Sequence, residues 1–128
     1  MIKPSITQEL YDTIYFNLEK MCYTVYEKLP EEEVPYPFIV MGPIHKRHRN
    51  LKTAIGVICD VDIDVWGDSE SRFSVDSIID EIDSVTRINT DSWKFIKRIN
   101  ESDCQILHDN STDHDLLHGV MSLVFESR

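Results

Sequence analysis

The chain has 128 residues, of which 41% are apolar and 28% charged, with four glycines and five prolines. That is one domain's worth of core over residues 1–128, too apolar for a disordered tail and too poor in Gly and Pro for a collagen-like or low-complexity chain. Thirteen Lys and Arg against 23 Asp and Glu leave a formal net charge of -10, so the chain as a whole repels phosphate, and any contact with nucleic acid or an anionic membrane has to be local.

The first residues, Met1-Ile2-Lys3-Pro4-Ser5, lack the apolar core of a signal peptide, and no apolar run approaches the ~20 residues that span a bilayer. The expectation is a soluble protein made in a cytoplasm, with no membrane partner. A helix comes next. Ser5 and Gln8 fit a capping box, and Leu10, Ile14, Leu18 and Met21 recur at helical spacing, widened by Tyr11, Tyr15 and Cys22. Thr24-Val25-Tyr26 is β-prone and ends at Leu29-Pro30. Two prolines around Tyr36 make Glu31 to Pro37 an extended connector. Phe38-Ile39-Val40-Met41 reads as a short buried strand closed by a Gly42-Pro43 turn, and Ile44 to Thr53 as a polar loop.

Ala54 to Trp66 has the strongest pattern in the chain. Ile55, Val57, Cys59, Val61, Ile63 and Val65 alternate with Gly56, Ile58, Asp60, Asp62, Asp64 and Trp66, so one face of a strand packs on a core and the other meets water or a partner. Gly67-Asp68-Ser69 should break it. Val75, Ile78, Ile79, Ile82 and Val85 place a second helix over about Ser74 to Arg87. Trp93 to Ile99 and Cys104 to His108 read as strands around an interruption at Asn100 to Asp103. Asp109 to Asp113 is then a hairpin loop before the alternation from Leu116 to Phe125. These elements imply an α+β two-layer sandwich, a mostly antiparallel sheet of four to five strands with both helices on the face away from the aspartates.

Three cysteines, Cys22, Cys59 and Cys104, fit no disulfide framework or zinc motif and are expected to be reduced and mostly buried. Asp60, Asp62 and Asp64 share a strand face roughly 6.6 Å apart. Such a row can hold Mg²⁺ for a phosphodiesterase, yet nothing else supplies a matching acid, lysine or phosphate loop, and the commoner role is a solvated face. His108, His114 and His118 can meet across a hairpin but lack a Cys or acidic ligand at metal spacing. No nucleophile elbow, zincin helix or phosphate-binding loop is present. Neither a catalytic residue nor a cofactor is assigned.

Charge is distributed unevenly. His45 to Lys52 contains Lys46, Arg47, Arg49 and Lys52 and no acid, whereas Asp60 to Asp83 holds nine acids against Arg72. The plain reading is a solvated charge run. The functional one is head-to-tail association, the basic loop of one copy meeting the acidic surface of the next, or a loop facing a ring lumen where DNA passes. Trp66 and Tyr36 are candidate apolar anchors for such contacts, or else core residues.

These features together resemble the tail-completion, or tail-terminator, family of long-tailed bacteriophages and prophages. The resemblance rests on the amphipathic helix from Leu10 to Met21, on Val34-Pro35-Tyr36-Pro37-Phe38-Ile39-Val40-Met41-Gly42, on the long strand ending in Val65-Trp66-Gly67-Asp68, and on the Ile- and Asp-rich helix from Val75 to Val85. The last third matches in pattern only. The resemblance implies a non-enzymatic α+β domain forming a hexameric ring. That ring caps the tail tube, stops polymerisation and joins the tail to the head connector. The implied partners are further copies, the major tail tube protein and the connector. The implied location is the host cytoplasm during assembly, then the tail–head junction of the virion. A neck protein on the portal side is the nearest alternative.

Overall fold

The computed structural model describes residues 2–50 and 55–128. The first helix, α1 (Ile6–Lys20), is capped by Ser5, whose side chain accepts the Gln8 N–H at 3.2 Å. Its buried stripe is Ile6, Leu10, Ile14 and Leu18. β1 (Val25–Tyr26) runs parallel to β2 (Phe38–Asn50), and the Tyr15 hydroxyl, donating to the Val25 carbonyl, ties α1 to it. β3 (Ile55–Asp68) is antiparallel to β2 and to the last strand. Next come α2 (Arg72–Asp83), β4 (Arg87–Asn89), β5 (Lys94–Lys97), a 3₁₀ turn (Ile99–Glu101), β6 (Asp103–Asp109) and β7 (Leu116–Ser127).

The two-layer sandwich of four to five strands is corrected. Among the described residues, seven strands form one sheet in the order β1-β2-β3-β7-β5-β4, with β6 also on β7, and the sheet curls into a half-barrel. Two causes account for the difference. β1 and β4 are two and three residues long, too short to carry a period. β2, β3 and β7 run 13, 14 and 12 residues, and strands of that length accumulate twist and do not lie flat.

Three local expectations also change. Gly42-Pro43 is no turn: β2 continues through it, with a register shift between Met41 and Ile44. Proline cannot donate to the ladder, so the strand bulges there. Gly42 is needed as well, because a Cβ would lie 2.8 Å from the Asp62 carbonyl oxygen. Ile44 to Asn50 is strand, paired with β3 from Val61 back to Ile55, because cross-strand contacts outweigh weak intrinsic preference. Of the expected loop, Leu51, Lys52 and Thr53 lie outside the described residues, as does Ala54. Gly67 does not break β3 but lies inside it, where a Cβ would sit 2.4 Å from Val75 Cγ2, so it lets α2 pack onto the strand. The second helix stops at Asp83, and Arg87 belongs to β4.

One core cluster joins the buried stripes of both helices to Cys59, Val61, Ile63 and Val65 of β3 and to Leu117, Met121, Leu123 and Phe125 of β7. Polar latches hold its rim. Glu9 accepts the Ser92 N–H at 3.0 Å, and the Tyr23 hydroxyl donates to Glu81 at 2.8 Å, joining the end of α1 to α2. The buried Lys97 ammonium donates to the Asp83 carboxylate and backbone carbonyl at 2.5 and 2.6 Å. Of the cysteines only Cys59 is buried, and burial pushes its thiol up to about 11. Cys22 and Cys104 are exposed, contrary to expectation. Among the described residues, no helix is long and apolar enough to cross a membrane.

Candidate assembly surface

The register places Phe38, Val40, His45 and Arg47 of β2, Asp60, Asp62, Asp64 and Trp66 of β3, and His118, Val120, Ser122 and Val124 of β7 on the same sheet face, opposite the core. This face is not a plain solvated one. Val40, Ile58 and Val124 on it are buried yet stand outside the main core.

The three aspartates have three different environments. Arg47 donates from Nε to Asp60 Oδ2 at 2.9 Å and from its terminal nitrogen to Oδ1 at 3.0 Å. That two-pronged bond holds the Asp60 carboxyl below its ordinary value. Asp64 accepts a 2.7 Å hydrogen bond from His118 Nε2. Asp62 lies between them, across from Ser122 and beside the Gly42 bulge. Burial pushes its carboxyl up, and the flanking Asp64 and Asp60 carboxylates add to the effect.

His118 also stacks on Trp66, with ring centroids 3.9 Å apart and planes 8° from parallel. The contact follows from register, since Trp66 and His118 are direct cross-strand partners. Beside them Tyr36 stacks on Phe38 at 5.4 Å, and Tyr26 meets Phe38 edge-on at 5.6 Å. The Tyr36–Pro37 peptide is cis. Tyr36, Phe38 and Trp66, with Glu32, Asp109 and Leu116, line a hollow of about 230 Å³. Trp66 and Tyr36 thus share a surface feature joining the connector to the sheet. A second, apolar groove of about 350 Å³ separates the helices, with Ile14 and Ile82 on its walls and Ile63 and Phe125 on its floor.

The basic residues expected to act as a group are split by the strand. His45 and Arg47 pair in register with Asp60 and Ile58, whereas Lys46 and His48 pair with Cys59 and Val57 and therefore take the other face. Arg49 lies opposite Gly56 in the ladder. Lys52 lies outside the described residues. Cations therefore stand on both sides of the β2–β3 ladder, and Arg47 is engaged by Asp60 of its own chain.

Among the described residues, no three His, Cys, Asp or Glu side chains converge as a metal site would require. His108 lies 3.9 Å from Asp115, and His118 is held by Asp64 and Trp66. The histidine cluster and the aspartate metal row are therefore not assembled by this fold. Sequence reasoning missed the role of His118. Its only signal was a place in the alternation of β7, and its partners are 52 and 54 residues away, a separation that no local pattern encodes.

No protein-family model matches the chain, and no curated protein does. A solved structure does. Over 98% of its own length and 98% of the other's, the chain superposes on a chain from the virion of a native gene transfer agent (GTA) particle, with a TM-score of 0.69 and 11% sequence identity. At that identity the likeness is one of fold.

Proposed function

We propose that the chain is a non-enzymatic structural protein of a phage-like virion, and within it the tail terminator. In this reading copies of the chain form a ring, a hexamer in the virion, that caps the tail tube, ends its polymerisation and presents the surface on which the head connector docks. DNA passes through the lumen, and assembly takes place in the host cytoplasm without a membrane step. The observation that carries the reading is the end-to-end likeness, with 98% of both chains covered, to a chain of a virion particle.

The charge pattern supports it. A net charge of -10 keeps free copies apart, and a basic arm on an acidic body supplies one directional attraction. Lys46, Arg47, Arg49 and Lys52 act from the arm, Asp60, Asp62 and Asp64 from the sheet face, and Trp66 and Tyr36 as aromatic anchors. Arg47 already pairs with Asp60 in the same chain, so part of its charge is spent within one copy.

Deleting the gene should yield overlong tails. Normal-length tails lying unattached beside DNA-filled heads would instead place the protein on the portal side. The double variant Lys46→Glu/Arg49→Glu should lose tube capping while keeping its fold by circular dichroism. Adding Arg47→Glu should abolish any residual capping. If the triple variant still gives joinable tails of normal length, the arm has no such role.

A further inference from the structure

Besides the outer edges of the short terminal strands β1 and β4, two longer strand edges are unpaired among the described residues. β1 covers β2 only at Ile39 and Val40, so from Ile44 to Asn50 β2 pairs with β3 alone among the described residues. Among the described residues, β6 pairs with β7 alone, over all seven of its residues. An unpaired row of N–H and C=O groups templates a further strand, and proteins blunt such edges with lysine, proline, bulges or a cover. β2 follows that rule, with Lys46 on the edge and a bulge before Ile44. β6 does not. Between Asp103 and Asp109 it reads Cys-Gln-Ile-Leu-His, with no Lys, Arg, Pro or Gly, and Leu107 is 44% exposed.

The two edges complement each other. The open part of β2 and the whole of β6 are both seven residues long. The first carries Lys46, Arg47 and Arg49 and no acid; the second carries Asp103 and Asp109 and neither Lys nor Arg. They stand on opposite sides of the β3–β7 pair. Self-pairing is disfavoured for both. Two copies of β6 aligned antiparallel about their middle would set Asp103 directly against Asp109, and two copies of β2 would set cation beside cation. We propose that the β6 edge of one copy takes the β2 edge of a second copy as an added strand, so that the sheets of successive copies join head to tail.

The contact uses two different edges, so it leaves one of each free after every addition. It therefore propagates, and it closes into a ring when the rotation per copy divides a full turn. Backbone hydrogen bonds supply the affinity, and the opposed charges choose the partner edge. The inference rests on the self-association proposed above and names the contact that produces it.

Cys104 is a native reporter, exposed on β6. Opposite Met121, it takes the helix-side face of the sheet, the face on which Lys46 and His48 also lie. In a Cys22→Ser background, His48→Cys and Lys46→Cys are made separately, and the full chain is concentrated to its solubility limit, alone and with tail tubes, and mildly oxidised. At least one variant should give a reducible ladder from dimer to ring that Cys104→Ser abolishes. On assembly, amide protection over residues 103–109 should rise on the order of tenfold or more, as open groups become ladder bonds. Assembly with neither the cross-link nor that protection overturns the proposal and leaves the ring reading standing. A product that stops at a dimer joined through Cys104 on both copies means β6 pairs with itself and overturns it too. A chain that stays monomeric under every condition overturns both readings.

Discussion

Along β3, residues that differ by one position in sequence face different surroundings. Cys59, Val61, Ile63 and Val65 are at most 1% exposed and touch both helices' core. Asp60, Asp62, Asp64 and Trp66 lie on the other side and are engaged one by one, by Arg47, by burial beside the bulge, by His118 and by a ring stack. The first face is held by area removed from water, which is insensitive to direction. The second depends on particular partners at particular distances, so it can be altered without unfolding the protein. A surface meant for assembly belongs on the second kind of face.

Substitutions separate the two faces by size and by pH. The largest loss should come from the core side: Phe125→Ala, at a fully buried ring, should cost about 3–5 kcal/mol in urea denaturation, whereas Val120→Ala on the other face should cost far less. Equal losses would mean that both faces are core. Gly67→Ala should cost about 1–3 kcal/mol, because the stiff Val75 side chain cannot move aside and α2 must shift. A neutral result would show that α2 rides loosely on β3.

At the core's polar rim, Asp83→Ala should cost about 1.5–3 kcal/mol, the worth of a hydrogen bond to a charged group. Lys97→Met, which removes the buried cation itself, should be close to neutral. If Lys97→Met is the worse of the two, the ammonium is held by more than Asp83.

The smallest effects, and the most discriminating, are at Asp60 and Asp62. Arg47 lowers the Asp60 carboxyl, so its stabilisation is complete above the ordinary carboxylate range and is lost as pH falls through the depressed folded value. Asp60→Asn should lower the melting midpoint at neutral pH. The Asp62 carboxyl is raised by burial and its neighbours, so the folded state favours the protonated form, and that advantage is lost as pH rises through the raised value. Asp62→Asn should therefore raise the midpoint slightly at neutral pH, and the gain should vanish in acid. Midpoints of the same sign for both variants would mean that the row acts as a uniform charged strip.

Much of this was legible in the residues. The α1 stripe, its Ser5 cap and the alternation of β3 are local periodicities, and local geometry alone sets which side chains share a face. The surface residues were legible as types but not as partners. Read as a loop, the segment puts Arg47 in one group with Lys46 and Arg49, because a loop has no faces; once β2 continues past Gly42-Pro43, period two sends Lys46 and Arg47 to opposite sides. Asp64 and Trp66 were visible, but His118 was not tied to them.

By itself, then, the order of residues determined the helices' buried stripes, the two-faced character of β3 and the separation of basic arm from acidic body, because each depends on neighbours within a few positions. Only the tertiary structure decided how many strands join the sheet, that Gly67 and Gly42 serve as close-approach points, and which edges stay open. Those outcomes depend on twist summed over three long strands and on pairings between residues tens of positions apart, where no local period reaches.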